Sequence, residues 1–265
     1  MRLYDFLYAV YFKLPSLYGL GIVGKAYRHG LTDSFKWFLT LFYKNKIRNQ
    51  TDCPTLDPDR VTAPKPLVIS LTTYGGRIDV VDIAVKTLLR QSVPVNRIVL
   101  WLADDEYSGA NLPERVRDLQ RYGVEIRYCP DLLAHKKYQY ALREFTDAYV
   151  ITFDDDFFFE KNMIANLLEL KARHPDCVIT NRAHRMRFQG GRLLPYRQWR
   201  HNTTETRPAH QIFATGGVGT LYESRLFGER LFATDALKKL SPKADDVWLK
   251  FMTYLDGVKV VTNAR

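Results

Sequence analysis

Three aspartates, Asp154, Asp155 and Asp156, stand side by side after an apolar run and before three phenylalanines. Adjacent carboxylates repel one another by about 1 kcal/mol per pair even in a water-like medium. A divalent cation that prefers oxygen ligands would relieve this repulsion and would in turn attract phosphate. The cluster therefore indicates either a metal site for a phosphorylated ligand or an acidic turn that water alone solvates.

The elements that position this cluster follow from the apolar pattern. Short apolar runs predict four strands, at residues 67–71, 98–102, 124–128 and 149–153. Helical stripes between and after them predict helices at residues 78–89, from Pro113 onward, and at 136–146 and 162–173. Alternation of strands and helices over about a hundred residues predicts an α/β domain with a mostly parallel sheet.

Ligands of such sheets bind beyond the carboxyl ends of the strands. The triple aspartate follows the fourth predicted strand, Asp104 and Asp105 follow the second, and the polar turn at 72–77 follows the first. All three groups are therefore expected at one edge of the sheet, where a ligand would lie.

A basic motif, His135-Lys136-Lys137, precedes the third predicted helix. Cations at a helix N-terminus oppose the helix dipole. They are better placed if a phosphate binds there, where the helix amides also contribute. The alternative is a solvated basic face.

Two further segments could contribute to a site. The glycine-rich segment 215–220 lacks the GK[ST] of a phosphate-binding loop, so it either lets backbone approach a sugar or marks a bulged strand. Asp245 and Asp246 begin another apolar helix; one of them is expected to cap it, and the other could be a general base whose pKa the neighbouring Trp248 raises. Capping alone is the simpler alternative.

Length and composition limit the class of protein. The chain of 265 residues can hold one large domain or two small ones, and its net charge of +10 indicates an anionic partner, namely nucleotide phosphate, acidic lipid, acidic polysaccharide or nucleic acid. Cys53, Cys129 and Cys177 form no CxxC pair, which argues against a zinc site or a disulfide framework and fits a reducing cytoplasm. No apolar stretch near the start is long enough for a membrane span or a secretory signal.

The N-terminal region differs from the rest. Residues 1–50 carry eight Lys and Arg against two acidic residues, together with many large apolar side chains. We therefore predict a basic, aromatic, helical extension with a proline-rich linker over residues 1–65, followed by a catalytic domain over 66–265. The extension could lie on a membrane surface, pack on the protein's own core, or bind nucleic acid, although no recognised nucleic-acid motif accompanies it.

The order of these motifs over residues 66–256 resembles the bacterial glycosyltransferases of the GT-A fold, in a family-2-like group that builds capsule and lipopolysaccharide glycans. The segments that carry the resemblance are 70–74, 98–102, 135–137, 151–156, 216–222 and 245–248. The resemblance implies a Rossmann-like, mostly parallel sheet flanked by helices. The Gln-x-x-Arg-Trp motif of processive synthases is missing, which disfavours a polymerising enzyme.

The resemblance also implies roles for individual residues. Asp154 and Asp156 would bind Mn²⁺ or Mg²⁺, while Asp155 would face away from the ligand. Asp246 would be the catalytic base, although Asp245 stands where many relatives have Glu, so the choice between the two stays open. The residues expected to bind the nucleotide, its diphosphate or the donor sugar are Thr72, Tyr74, Arg77, Asp104, Lys136, Lys137, Asp154 and Gly217.

The expected activity is a metal-dependent, inverting transfer of a sugar from a nucleoside-diphosphate sugar, of UDP type, to a surface-polysaccharide or lipid-linked acceptor. The expected location is the cytoplasm, on the anionic inner face of the membrane, without a nucleic-acid partner. The competing hypotheses are a metal-dependent nucleotidyltransferase or phosphodiesterase, a non-catalytic carbohydrate- or membrane-binding protein, and a nucleic-acid binder.

Overall fold

A computed structural model of the chain describes residues 33–49 and 53–263. The chain divides into two compact units between Asp52 and Cys53. In the first unit the described part is one helix, α1 (Asp33–Arg48), with Lys46 and Arg48 in its last turn. The helical prediction for residues 1–32 lies outside the described residues.

The second unit is built on a seven-stranded sheet. Its strands and those of two small two-stranded sheets are β1 (Leu67–Thr72), β2 (Arg97–Ala103), β3 (Glu125–Cys129), β4 (Tyr149–Thr152), β5 (Val178–Thr180), β6 (Ala183–Arg185), β7 (Phe188–Gln189), β8 (Arg192–Leu193), β9 (Ile212–Ala214), β10 (Thr220–Tyr222) and β11 (Val260–Thr262). Its helices are α2 (Val81–Leu88), α3 (Glu114–Arg117), α4 (Lys136–Glu144), α5 (Met163–Arg173), α6 (Thr234–Leu240) and α7 (Asp245–Leu255).

The strand order of the large sheet is β11-β5-β10-β4-β1-β2-β3. Every pairing is parallel except those of β10, which runs antiparallel to β4 and β5. The prediction of an α/β fold with a mostly parallel sheet is confirmed. Strands β7 and β8 form a hairpin with Gly190 and Gly191 at its turn.

The sheet is apolar on both faces because helices cover both. Alternate residues of β1 point to opposite sides, so Leu67, Ile69 and Leu71 join one buried cluster while Val68 joins the other. This packing on both faces explains why the strands read as continuous apolar runs rather than alternating ones.

Residues 53–65, predicted as part of a linker, lie in the second unit. Cys53 is buried, and the amide of Leu56 donates to the carbonyl of Tyr122 at 2.9 Å. All three cysteines are buried and free. Among the described residues, no helix combines the length and the apolar character that crossing a bilayer requires.

Candidate active site

The candidate site lies at the carboxyl edge of the large sheet. Parallel strands β1, β2 and β4 end there, and the antiparallel β10 begins there. Helices α4 and α7 also begin at this edge, so the motifs predicted separately along the chain come together. The segments that meet are the turn after β1, the triple aspartate after β4, the glycines before β10 and the first residues of α4 and α7.

Lys137 is the centre of this cluster. Its ammonium nitrogen lies 2.5 Å from Oδ1 of Asp154 and 2.8 Å from Oδ2 of Asp245. Burial opposes the charge of Lys137, but Asp245, Asp154 and Asp246 outweigh it and hold the pKa of Lys137 well above its ordinary value. A permanently charged cation therefore joins the two acidic motifs predicted from the sequence.

The start of α4 is held in place by two neighbouring strands. The hydroxyl of Ser70 in β1 donates to the carbonyl of Lys137 at 2.5 Å, and the indole of Trp101 in β2 donates to the same hydroxyl at 2.9 Å. All three residues are buried. The position of the Lys137 backbone is thus set by the sheet itself.

His135 connects the start of α4 with the segment before α7. Its Nε2 lies 2.8 Å from the carbonyl of Ser241, and its Nδ1 lies 2.8 Å from the hydroxyl of Tyr138. A carbonyl can only accept, so Nε2 carries the proton and Nδ1 accepts from Tyr138. Burial lowers the pKa of His135, which keeps the ring neutral in this role.

Asp246 contacts the glycine-rich segment rather than a cation. The amide of Gly216 donates to Oδ1 of Asp246 at 3.0 Å. Burial, and then the carboxylate of Asp245, raise the pKa of Asp246 to about 7 against the opposing effect of Lys137. A carboxyl group with this pKa gains and loses a proton near neutral pH, as a general base must.

The three aspartates form ion pairs with two different basic residues. Asp154 pairs with Lys137, whereas Arg77 lies 3.0 Å from Oδ1 of Asp155 and 3.3 Å from Oδ2 of Asp156. The side chain of Asp155 is only 3% exposed, and its burial raises its pKa. Asp156 is 39% exposed, so Asp154 and Asp156 are the members of the motif that a ligand can reach.

The turn after β1 contains the residues predicted to hold a nucleotide base. Tyr74 is exposed, and the guanidinium carbon of Arg77 lies 5.3 Å from the centre of its ring. Thr72 is buried, and its hydroxyl donates to the carbonyl of Trp101 at 2.8 Å, so that group is engaged within the sheet. Glu106 accepts from the amide of Gly75 at 2.6 Å and fixes the turn.

Lys136 and Asp104 lie apart from this cluster. Lys136 is fully buried and pairs with Asp131, so of the two adjacent lysines only Lys137 reaches the acidic motifs. Asp104 is exposed at the end of β2, with its amide donating to the carbonyl of Cys129 at 3.0 Å. Their predicted contacts with the nucleotide stay predictions.

The residues present fit a divalent ion that binds together with the phosphates of a substrate rather than alone. Within residues 33–49 and 53–263, no group of three or more His, Cys, Asp or Glu side chains is arranged to hold a metal. Asp154 and Asp156 supply two carboxylates, and Mg²⁺-like ions commonly take one or two carboxylates together with phosphate and water. Gly217 lies against Asp154 so closely that a Cβ there would be 2.6 Å from Oδ2.

Some supporting residues were missed by the sequence analysis. Ser70, Glu106 and Gly216 act through hydrogen bonds to residues 30 or more positions away. No local pattern identifies such partners. Ser70 and Gly216 had a signal only as members of segments 70–74 and 215–220, which the sequence analysis singled out.

Comparison with known proteins gives a family and a fold. Residues 69–225 match the model of "Glycosyl transferase family 2". A search among curated proteins gave no match. Because the family match covers more than half of the chain, the GT-A fold predicted from the sequence is confirmed.

Solved structures of similar fold have low sequence identity. A mannosyltransferase, PcManGT from Pyrobaculum calidifontis in complex with GDP-Man and Mn²⁺, is 14% identical with a TM-score of 0.50, covering 84% of this chain and 61% of that one. S. aureus TarS 1-349 in complex with UDP is 15% identical with a TM-score of 0.47, covering 74% of this chain and 58% of that one. This chain therefore spans about three fifths of the length of the structures it matches.

Proposed function

Because this chain belongs to glycosyl transferase family 2, we propose that it transfers a sugar from a nucleoside-diphosphate sugar to an acceptor hydroxyl. The observation that carries this proposal is the cluster in which Lys137 joins Asp154 of one acidic motif to Asp245 of the other. A group for the leaving diphosphate and a group for the acceptor proton thereby lie in one site.

Asp246 is the better candidate for the catalytic base. Oδ2 of Asp245 lies 2.8 Å from the ammonium group of Lys137, so this carboxylate is already engaged in an ion pair. Asp246 has a pKa of about 7 and, among the described residues, accepts one hydrogen bond, from the amide of Gly216. In the proposed reaction, Asp246 takes the proton of the acceptor hydroxyl as its oxygen bonds to the anomeric carbon and the bond to the diphosphate breaks. Attack from the opposite face inverts the anomeric configuration.

Asp154 and Asp156 would hold Mn²⁺ or Mg²⁺ with the help of the donor. When bound, such an ion supplies positive charge to the leaving diphosphate. The PcManGT structure contains GDP-Man and Mn²⁺, which supports a divalent ion for a protein of this fold. Lys137 pairs with Asp154 and Arg77 with Asp156. In the proposed reaction the same two charges would stabilise the leaving diphosphate.

The donor would lie along the turn after β1. Tyr74 and Arg77 offer an exposed ring and a guanidinium to the base, which we propose to be uracil. Thr72 and Asp104 border the same edge, and Gly217 would let the backbone approach the sugar because no side chain intervenes. UDP, as in one TarS structure, is the nucleotide that we propose.

The acceptor would be a surface polysaccharide or lipid-linked glycan at the inner face of the membrane. The support lies in α1, where Trp37, Phe38 and Leu41 are exposed on a helix that ends with basic residues. Aromatic side chains and cations on one helix suit the interface of an anionic membrane. Capsule or lipopolysaccharide assembly is the process that this location fits.

The experiment is a product analysis. Purified protein is incubated with a panel of nucleoside-diphosphate sugars with and without Mn²⁺, and the released nucleotide is identified. Free nucleoside diphosphate supports glycosyl transfer. Monophosphate or pyrophosphate would instead indicate a phosphodiesterase or a nucleotidyltransferase.

A pair of variants makes this result specific to the site. Asp246→Asn should lower release by at least about a hundredfold, in line with the usual contribution of a general base. Asp176→Asn is the matched control, because Asp176 is exposed and pairs only with Arg225 among the described residues. Equal activity of the Asp246 variant and the control would contradict the assignment of the base.

A further inference from the structure

An open apolar groove of about 300 Å³ lies between α7 and the segment that runs from β7 to β9. Four of its nine lining residues come from α7, and the other five lie between Met186 and Phe213. The apolar residues that matter most here are Val247, Phe251, Tyr254, Phe188, Leu193 and Trp199. The aromatic rings are far from buried, with Phe251 59% and Tyr254 61% exposed. Contiguous exposed apolar surface of this kind usually marks a binding site.

The groove and the proposed base share helix α7. Val247 directly follows Asp246 in α7, and Val247, Phe251 and Tyr254 recur at helical spacing along one face. At 1.5 Å per residue this face extends about 10 Å along the helix axis from the residue next to Asp246. An occupant of the groove therefore lies along the helix that carries Asp246 in its first turn.

The lining is suited to hydrocarbon. Its one basic residue, Lys250, is buried, and its ammonium group donates to the carbonyl of Ile212 at 2.8 Å. Because this ammonium group already donates to a backbone carbonyl, it does not favour a polar occupant of the groove. Phe188 and Leu193 pair directly across the hairpin of β7 and β8, so both present apolar side chains on the same face.

The segment that forms the other wall is strongly basic. Residues 183–211 contain six arginines and a single acidic residue, Glu205. Glu205 pairs with Arg185. The five further arginines are exposed, and no carboxylate lies within ion-pair distance of them in the part of the chain that the structure describes. They are Arg187, Arg192, Arg197, Arg200 and Arg207.

Two of these arginines directly precede residues that line the groove. Arg192 precedes Leu193 in β8, and Arg187 precedes Phe188 at the start of β7, and both side chains are exposed. The hairpin that supplies apolar side chains to the groove therefore also carries cations next to them. An apolar groove with a cationic border matches a molecule that has a hydrocarbon chain and an anionic group.

We propose that this groove holds the hydrocarbon chain of the acceptor, and that the acceptor is a lipid joined through phosphate, which the bordering arginines bind. This inference rests on the proposed function, since it assumes that an acceptor reaches Asp246. It chooses between the two acceptor classes above: a lipid-linked molecule fits the groove, and a free polysaccharide does not use its apolar surface.

Direct binding tests the inference without turnover. Farnesyl phosphate, used below its micelle concentration, combines a hydrocarbon chain with phosphate. Binding is followed by the fluorescence of Trp199, taken as the difference between the wild-type protein and Trp199→Phe. We expect saturable binding of farnesyl phosphate, weaker binding of farnesol, and no effect of inorganic phosphate on the Trp199 signal.

Two matched variants locate the binding site. Phe251→Asp places a charge in the groove and should weaken farnesyl phosphate binding by at least about tenfold, the effect expected from losing the burial of one large apolar side chain. Leu240→Asp is the control, because Leu240 is 73% exposed and does not line the groove. It should bind farnesyl phosphate as the wild-type protein does.

Three outcomes would overturn the inference. They are the absence of saturable binding, equal weakening by the two variants, and a dimer in sedimentation that only Phe251→Asp dissociates, since a second copy would then occupy the groove. The wild-type protein can also be tested with water as the acceptor. Metal-dependent release of nucleoside diphosphate in that reaction tests only the proposed function. Failure of farnesyl phosphate to bind while this release persists would refute the groove assignment and leave the function standing.

Discussion

The ammonium group of Lys137 lies 2.8 Å from Oδ2 of Asp245, and this ion pair joins the first residues of α4 to the first residues of α7. The two helices begin more than a hundred residues apart in the chain. Because Lys137 also pairs with Asp154, one buried cation joins the start of α4, the segment after β4 and the start of α7. Replacing Lys137 should therefore change the free energy of unfolding by an amount that depends on pH.

Lys137→Met should destabilise the protein most at alkaline pH. Removing one partner of a buried ion pair costs about 3–5 kcal/mol because the other charge is left uncompensated. Lys137 opposes the raised pKa of Asp246, so in the variant the Asp246 carboxyl should stay protonated to higher pH, and part of the loss should be regained at pH 5, where it is neutral. Urea unfolding at pH 5 and pH 8 measures this difference. Lys136→Met is the control, since its partner Asp131 lies outside the cluster; a loss for Lys137→Met that is equal at both pH values would contradict the prediction.

The carboxyl group of Asp246 should make the free energy of unfolding decline with rising pH. Its pKa is about 7 in the folded protein, against an ordinary value of 3.8. Between these values the folded state holds a proton that the unfolded state has released, so this contribution is complete below about pH 4 and is lost as pH rises through about 7. Unfolding in the presence of a chelator should therefore show a steeper decline for the wild-type protein than for Asp246→Asn. If the free energies of unfolding of the two proteins changed in parallel with pH, the pKa of the Asp246 carboxyl would not be raised in the folded protein.

Gly217→Ala should displace Asp154 without unfolding the protein. The added Cβ would lie 2.6 Å from Oδ2 of Asp154 and 3.1 Å from the ring of Phe157. A shifted ligand side chain typically lowers metal affinity by about 10–100-fold. Mn²⁺ binding in the presence of UDP measures the loss of metal affinity, and the melting temperature shows whether the variant stays folded. Gly109→Ala is the matched control, because a Cβ there meets nothing within 4 Å.

Mn²⁺ should bind strongly only together with a nucleoside diphosphate. Asp154 and Asp156 supply just two carboxylates, and both are paired with basic side chains. Titration calorimetry with Mn²⁺ alone should give weak binding, and added UDP should tighten it by at least about tenfold because its phosphates complete the coordination. Asp156→Ala should abolish that gain. Tight Mn²⁺ binding without nucleotide would mean that the protein forms a complete metal site elsewhere.

The exposed aromatic residues of α1 should determine binding to anionic vesicles. Trp37 and Phe38 are 66% and 53% exposed. Replacing both with Gln should weaken binding by at least about tenfold, as expected from the apolar area lost, and salt should weaken the binding of the unaltered protein. Vesicle sedimentation measures both effects. Tyr128→Gln, at a half-exposed aromatic residue of β3, is the control; equal loss in both variants would argue against α1 as the contact.

The parts of this fold that the sequence predicts are those with a local cause. Runs such as 67–71 and 98–102 are apolar because both faces of the sheet are covered, and the acidic and polar residues after them reach one edge because parallel strands end together. The antiparallel strand β10 was not predicted. It has only three residues, Thr220–Tyr222, which is too short for any periodicity to identify its direction.

The contacts that select individual residues come from long-range packing. Lys136 and Lys137 are neighbours in sequence and equally basic, yet one pairs with Asp131 and the other with Asp154, because successive residues of a helix point about 100° apart. The apolar groove was missed for a related reason. Its side chains are spread from Phe188 to Tyr254 without a common period, and only the packing of the β7–β8 hairpin near α7 brings them together.

The antiparallel direction of β10 has a consequence for how such a protein can diversify. Thr180 at the end of β5 pairs with Thr220 at the start of β10, and their hydroxyls lie 2.9 Å apart. The chain therefore leaves the sheet and returns to it at one point, so the stretch between the two threonines can change in length without altering the order of strands. Homologues could differ in its first part, which carries the β7–β8 hairpin, while Gly216 and Gly217 at its end keep their contacts with Asp246 and Asp154.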